Sequence, residues 1–385
     1  MIGRTRYVVS GIVVAAVVTI AALGGARGRS EGTSELPERL DDTTFWRMVT
    51  ELSEPGGWFR SDNFVSNEGE LQYVIPQLQR TVPAGRAYVG VGPEQNFTYI
   101  AALDPGIAFI VDIRRQNLVL HLMYKALMEL SEDHVQFVSA LLSRPVPAAV
   151  STESSVTELF EAFDRTPTDT VQFWRTLDAL RTHLETVHGF PLDQRDRESL
   201  FYVFASFAEG GTALSYSFGA MGGNQNRRWG GSWMPTLTQM MIETDGEGRH
   251  RSYLADEASY ASVRELQLRN LIVPVVGNFG GEHALKAVAA WLQAHQAQLG
   301  VFYASNVEQY LYMQGDAPEK FFANLGTLPQ DSASTFVRSV SNRGWLPMRN
   351  PTSRLAQQAM PVGAMLEQVR DGRARTYWEL VTGAP

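Results

Sequence analysis

Apolar residues recur along the chain with two different periods, and the switching between them outlines a fold. Residues 107–111 and 271–276 are continuous apolar runs, the pattern of strands buried on both faces. Residues 86–91, 299–304 and 334–340 are further short β-rich runs. Stretches with helical spacing lie between and around them. Residues 66–80 carry Leu71, Val74, Ile75 and Leu78, and residues 96–103 form a second candidate. Residues 114–130 place Leu118, Leu122, Ala126 and Leu130 on one face, and residues 282–296 and 319–325 complete the set. A short helix over 45–52 stops at Pro55-Gly56-Gly57. This alternation predicts an α/β fold, a mostly parallel sheet of Rossmann type with crossover helices.

From 131 to 269 the strand signal fades. Residues 156–163, 170–187 and 195–207 read as helices, followed by a glycine-rich loop at 219–231. The expected layout is a first part of the α/β domain over 43–130, a mostly helical insertion or cap over 131–269, and a second part over 270–385. The tail at 355–378 has no clear period. In the glycine-rich loop, Arg227 and Trp229 have the chemistry to close over an anionic or planar ligand, with glycines as hinges; an exposed loop is the plainer alternative.

The N-terminus changes the picture. Residues 7–23 hold no charge and are rich in Val, Ala and Ile, with Arg4 and Arg6 before them and Arg27 and Arg29 after. A full span needs roughly 17–25 residues, so the length suits a short membrane helix or a signal-peptide core. Residues 1–27 therefore read as an anchor or signal, with membrane contact through residues 7–25, and 28–42 as a polar tether. Uncleaved, the segment anchors the chain by a single N-terminal helix; cleaved, it leaves an exported protein. Arginine on both flanks leaves the orientation open.

A net charge of -8 argues against a nucleic-acid partner, because neutralising phosphates needs clustered Lys and Arg. The chain has no cysteine, which excludes disulfides, thiolate metal sites and cysteine nucleophiles. His183 and His188 stand at i and i+5, a spacing that does not share an α-helical face as i, i+4 zinc ligands do, so no metal is expected. His121 lies on an otherwise apolar helix and reads as a core residue.

Candidate chemistry concentrates after the first strand, in Tyr88-Val-Gly90-Val-Gly92-Pro-Glu94-Gln-Asn96. Two glycines between a strand and a helix allow a tight turn and close approach to a ligand, and the helix start offers free N–H groups. Asp112 closes the next strand about 20 residues further on, where a carboxylate accepts from ribose hydroxyls. Arg114 and Asn117 lie just beyond, within reach of an adenine or phosphate. The alternative is a plain tight turn with a surface aspartate. Asn278 follows the strand over 271–276 and either lines a ligand crevice or bonds its own glycine turn. Asn306, Glu308 and Tyr310 follow the next strand, where site roles compete with helix capping and aromatic packing. Asp62 and Asn63 precede the first long helix and either face substrate or cap it.

Four strings carry a family resemblance: Gly56-Gly57-Trp-Phe-Arg60-Ser-Asp62-Asn63, Gly90-Val-Gly92-Pro-Glu-Gln-Asn96, Val111-Asp112-Ile-Arg114-Arg-Gln-Asn117 and Ser305-Asn306-Val-Glu308-Gln-Tyr310. On them, residues 55–341 resemble an uncharacterised bacterial family with a class I S-adenosylmethionine-dependent methyltransferase-like Rossmann fold. The resemblance implies an adenosyl pocket at Gly90, Gly92, Glu94, Asn96, Asp112, Arg114 and Asn117, with S-adenosylmethionine as the candidate cofactor. Two positions depart from the methyltransferase pattern: Tyr88 stands where an acidic residue is usual, and Glu94 where a third glycine is usual. The leading expectation is a methyltransferase-like protein binding a nucleoside-type ligand, with Glu308, Asn306 and Tyr310 nearest the chemistry. The alternatives are a membrane-anchored or exported binding protein of the same fold without methyl transfer, and an enzyme with another small-molecule ligand.

Overall fold

Asp41 caps the first helix: its carboxylate accepts the Thr44 N–H at 2.9 Å at the start of α1 (Asp42–Glu51), which buries Phe45, Met48 and Val49. The structure is a computed structural model describing residues 35–216, 234–341 and 355–383, all within one unit, Ser34–Pro385. The expected hydrophobic helix, the first half of the tether, and Arg227 and Trp229 of the expected lid lie outside the described residues. No helix among the described residues is long and apolar enough to cross a membrane.

The helix expected over 66–80 is shorter. A 3₁₀ turn (Leu71–Val74) leads into α2 (Ile75–Thr81). Glu70 has φ 61, a left-handed conformation that cannot continue a helix, and Pro76 occupies the first turn, where its missing N–H costs nothing. Next come β1 (Ala87–Gly90), α3 (Gln95–Leu103), β2 (Ile107–Asp112) and α4 (Arg115–Leu130). Twelve of the sixteen α4 residues are buried, because β2 and β3 cover one side and later helices cover the other.

Those later helices are α5 (His134–Leu142), α6 (Val156–Asp164), α7 (Thr170–Thr182), α8 (Gln194–Gly210), α9 (Leu237–Met241) and α10 (Glu257–Leu268). Among the described residues from 131 to 269 there is no strand, only an isolated bridge between Ser215 and Thr236. Helices α5, α7, α8 and α10 pack on α4. The α-helical run expected over 170–187 changes character near its end: α7 passes into a π-helical turn (His183–Val187), closed by the His188 N–H donating to His183 O at 3.0 Å. An i to i+5 turn returns residues five apart to the same side. This corrects the reading that His183 and His188 face apart: their rings meet edge to face, centroids 4.8 Å apart.

The α/β alternation resumes with β3 (Ile272–Val276), α11 (Ala284–Ala294), β4 (Leu299–Ser305), α12 (Val307–Leu311), α13 (Ala317–Leu325) and β5 (Thr335–Ser341). The tail with no clear period supplies β6 (Leu355–Pro361), α14 (Val362–Arg370) and α15 (Tyr377–Thr382). The sheet order is β3-β2-β1-β4-β5-β6. The first five strands run parallel and β6 is antiparallel to β5. Strands β1, β2 and β3 are buried throughout, which explains their apolar sequences. The order reverses between β1 and β4, where open α/β sheets form a crevice at the carboxyl ends of their strands.

Candidate functional site

Four strand ends and one loop meet at that crevice. The turn after β1 contributes Gly92 and Pro93, the end of β2 Asp112 and Arg114, the end of β3 Asn278, and the end of β4 Ser305, Asn306 and Tyr310. The loop over 53–66 crosses the same edge. The Ser53 hydroxyl accepts the Val276 N–H at 2.9 Å, and the Gly57 N–H donates to Ile113 O at 2.7 Å, so the loop is tied to the ends of β3 and β2. It brings Trp58, Phe59 and Asn63 onto a cavity of about 130 Å³. A cavity of about 150 Å³ holds one benzene ring, so this half-open one is close to the size of a single planar ring, and a larger ligand extends into the mouth. Trp58 is 77% exposed there, an aromatic face left for stacking.

The turn itself is filled from within. Asn96 is fully buried, and its side-chain amide donates to the carbonyls of Val91, Gly92 and Pro93 at 3.0, 3.2 and 2.8 Å. Its oxygen accepts the Tyr88 hydroxyl at 2.9 Å. A Cβ at Gly90 would run into Asn96 and the Tyr88 ring, and Gly92 has φ 83, so each glycine is needed for the protein's own packing. Asn117 and His121 also donate to the Gly92 carbonyl, at 3.3 and 2.8 Å. Burial pulls His121 down to about 4, so it is neutral. Glu94 is also fully buried and outside the cavity lining. One of its oxygens accepts the Ser66 N–H at 3.3 Å, the other has no hydrogen-bond partner among the described residues, and burial pushes its carboxyl up to about 8.

Asp112 lines the cavity, but its carboxylate is engaged. Arg114 donates to one oxygen through Nε at 3.0 Å and to the other through Nη2 at 2.9 Å, and the Arg114 N–H adds a bond at 2.9 Å. The remaining Arg114 nitrogen donates to the carbonyls of Ser61 and Asp62, which clamps the loop over the crevice. The Asp62 side chain turns away and accepts the Tyr202 hydroxyl at 2.9 Å. Asn63 stays on the cavity, at φ 50, with its oxygen accepting the Ser61 hydroxyl at 2.8 Å.

Beyond β4 the predicted residues divide. Ser305, at φ 52, ends β4 at a shift in register with β5, and this kink carries Asn306 and Tyr310 to the cavity. Two non-glycine residues with positive φ on one cavity is the kind of backbone strain that gathers at ligand sites. Tyr310 lies against Phe59, edge to face at 5.1 Å, with the Arg60 guanidinium 5.6 Å from its ring centre. Glu308 points the other way: it is 2% exposed and pairs with buried Arg338 at 3.0 Å. Asn278 fits both of its readings, because it lines the cavity while its oxygen accepts the Gly280 N–H at 3.0 Å.

The cavity therefore gathers Gly92, Asp112, Arg114, Asn63, Asn278, Asn306 and Tyr310. Gly90, Glu94, Asn96, Asn117, Asp62 and Glu308 are not on its wall. Sequence reasoning gave no role to Trp58 and Phe59, although both stand inside a string it singled out. Glu68, which the sequence leaves open between a site residue and a helix start, has a structural role. That fully buried carboxylate accepts from the Tyr303 hydroxyl at 2.6 Å, from Gln357 at 3.1 Å and from the hydroxyls of Ser305 and Ser339. It braces β4, β5 and β6 just beneath the kink, and its partners are too distant in sequence to signal the role.

The wall offers amides, hydroxyls and aromatic faces, and one ion pair that is neutral as a unit. That chemistry suits an uncharged planar molecule with several donors and acceptors. No curated protein matches the chain. The profile of a family described as Domain of unknown function (DUF7790) matches residues 63–203 and 225–378, more than half of the sequence, and the chain belongs to that family.

Proposed function

We propose that the protein binds a nucleoside-type small molecule in the crevice between β1 and β4, on a methyltransferase-like Rossmann fold, without transferring a methyl group. The carrying observation is the cavity at the reversal of strand order, with Trp58 exposed at its mouth and Asn63, Asn278 and Asn306 on its wall. A planar base stacks on an aromatic face and pairs its edges with side-chain amides.

Two observations favour binding over catalysis. Asn96 and Tyr88 fill the inside of the glycine turn and Asn96 bonds its carbonyls, and the Glu94 carboxyl is turned into the protein. The turn therefore leaves these polar side chains engaged with the protein itself and not with the methionyl half of the cofactor. In addition, Glu308, the carboxylate expected to act as a base, is held by Arg338 away from the cavity, and Asp112 is held by Arg114. Methyl transfer is the second reading, favoured by Gly92 and Asp112 of the expected adenosyl pocket standing on the cavity wall.

Parallel calorimetric titrations of the full-length protein with adenosine and S-adenosylmethionine separate the two. Equal affinity, with the methionyl half adding nothing, is expected for a nucleoside binder. S-adenosylmethionine binding tenfold or more tightly than adenosine would restore the methyltransferase reading.

A further inference from the structure

Near the end of α4 remote from the crevice, one carboxylate and two imidazoles converge. Glu129 Oε2, near the end of α4, lies 2.7 Å from His183 Nε2 and 2.6 Å from His188 Nε2. The three donor atoms all fall within 4.8 Å of one another. The π-helical turn makes this possible, since it returns the i+5 histidine to the same side. We propose that Glu129, His183 and His188 form a binding site for a divalent transition-metal ion of the zinc class.

The hydrogen-bond geometry orients the donors. His188 Nδ1 is 2.8 Å from Asp42 Oδ1 and its Nε2 is 2.6 Å from Glu129 Oε2; without a metal a doubly protonated ring donates to both carboxylates, and a bound cation takes the place of the Nε2 proton. An imidazole whose far N–H is held by a carboxylate is the usual arrangement behind a metal-bound histidine, because it fixes the tautomer and raises basicity. The carboxylate is oriented too: Lys125 Nζ holds the other Glu129 oxygen at 2.6 Å and is itself anchored by Gln267 O at 2.6 Å. Phe190 stacks on the His188 ring at 4.9 Å and 9°.

Asp42 and Glu129 bring two carboxylates to the imidazoles, with Lys125 and, further off, Arg39 offsetting part of that charge. Two imidazole nitrogens and one carboxylate oxygen, with no thiolate, are the donor set of three-ligand zinc sites, which leave a fourth position for solvent or substrate. The 17% exposure of the His183 side chain leaves that position reachable. Metal–donor bonds of about 2.1 Å in a tetrahedron set donors about 3.4 Å apart. Side-chain shifts of under an ångström at His183 and His188 open the cluster that far.

Untagged full-length protein, stripped with chelator, is titrated with Co²⁺ by visible absorption and with Zn²⁺ by calorimetry. One ion per chain is expected, with tetrahedral cobalt bands. His183→Asn and His188→Asn should each weaken binding at least tenfold, and Asp42→Asn, on the half-exposed partner, should weaken it severalfold with the melting temperature kept. His295→Asn, which faces Trp291, should change nothing. Absence of one-to-one binding would overturn the site, as would binding that survives His183→Asn and His188→Asn together in a folded protein. Either result would leave the cluster a hydrogen-bonded ion pair only.

Discussion

The hydroxyl of Tyr88 donates to Asn96 Oδ1 at 2.9 Å, and together these two side chains fill the inside of the turn that follows the first strand. A turn that in outline is suited to cradle a ligand's backbone is thereby closed from within, while its outer surface stays on the crevice. Asn96→Ala takes a donor from three carbonyls; Val91 keeps Gln95 and Gly92 keeps Asn117 and His121, while the Pro93 carbonyl and the Tyr88 hydroxyl lose their Asn96 partner. A buried carbonyl left without its donor costs about 1–3 kcal/mol, so the variant should lose on the order of 3 kcal/mol in denaturant unfolding. Gly90→Ala should destabilise by about 1–3 kcal/mol through overpacking against the same pair.

Asp112 and Arg114 form a nearly dry ion pair, with side chains 8% and 7% exposed. Breaking such a pair from one side strands a buried charge. Asp112→Asn should therefore cost about 3–5 kcal/mol, and Asp112→Asn with Arg114→Met should recover much of it. Chemical unfolding of the two variants checks this. If the double variant is no better than the single, the clamp on the loop at Ser61 and Asp62 matters more than the charge.

The Glu94 carboxyl, pushed up to about 8 by burial, gives stability a definite slope. Between the ordinary carboxylate range and pH 8 the folded chain keeps a proton that the unfolded chain has released. Stability therefore falls as pH rises through that window. Glu243, pushed up to about 7, adds in the same sense, whereas His121, pulled down to about 4, makes stability rise between pH 4 and the ordinary imidazole value. Glu94→Gln mimics the protonated form. The difference in unfolding free energy between wild type and variant should swing by on the order of 4 kcal/mol from pH 5 to pH 8.5, with the variant the more stable at high pH. A pH-independent difference would contradict the burial of a neutral carboxyl.

Trp58 offers its face to the cavity mouth while contributing little to the core. Trp58→Ala should leave the melting temperature within a degree or two, yet weaken nucleoside binding. Stacking of one base on an aromatic ring is worth about 1–3 kcal/mol, or roughly a five- to hundredfold loss in affinity. An equal loss with Trp58→Phe would argue against stacking.

The strands were legible because burial on both faces leaves almost nothing but apolar residues, as in β2 and β3. The last strand was not: β6 lies at the sheet edge, and half-buried Gln357 and Gln358 interrupt its pattern. Helix α2 was overextended because the left-handed backbone at Glu70 has no signature in apolar spacing. Strand-end logic placed Asn278, Asn306 and Tyr310 on the crevice, since the ends of parallel strands converge whatever the details. It failed for Glu308, because one position along a helix rotates a side chain by about 100°, and buried Arg338 on β5 supplies the counter-charge on that side. The histidine pair was hidden by the assumption of regular α-helical turns, which the π turn breaks.

The central claim, a nucleoside-type ligand in the β1–β4 crevice, is tested most directly by titrating adenosine into the full-length protein and into Asn306→Trp, which fills the crevice from its wall. One site per chain in the wild type, lost in a variant with unchanged melting temperature, is the expected result. No heat at millimolar adenosine, or the same heat from both proteins, would contradict it.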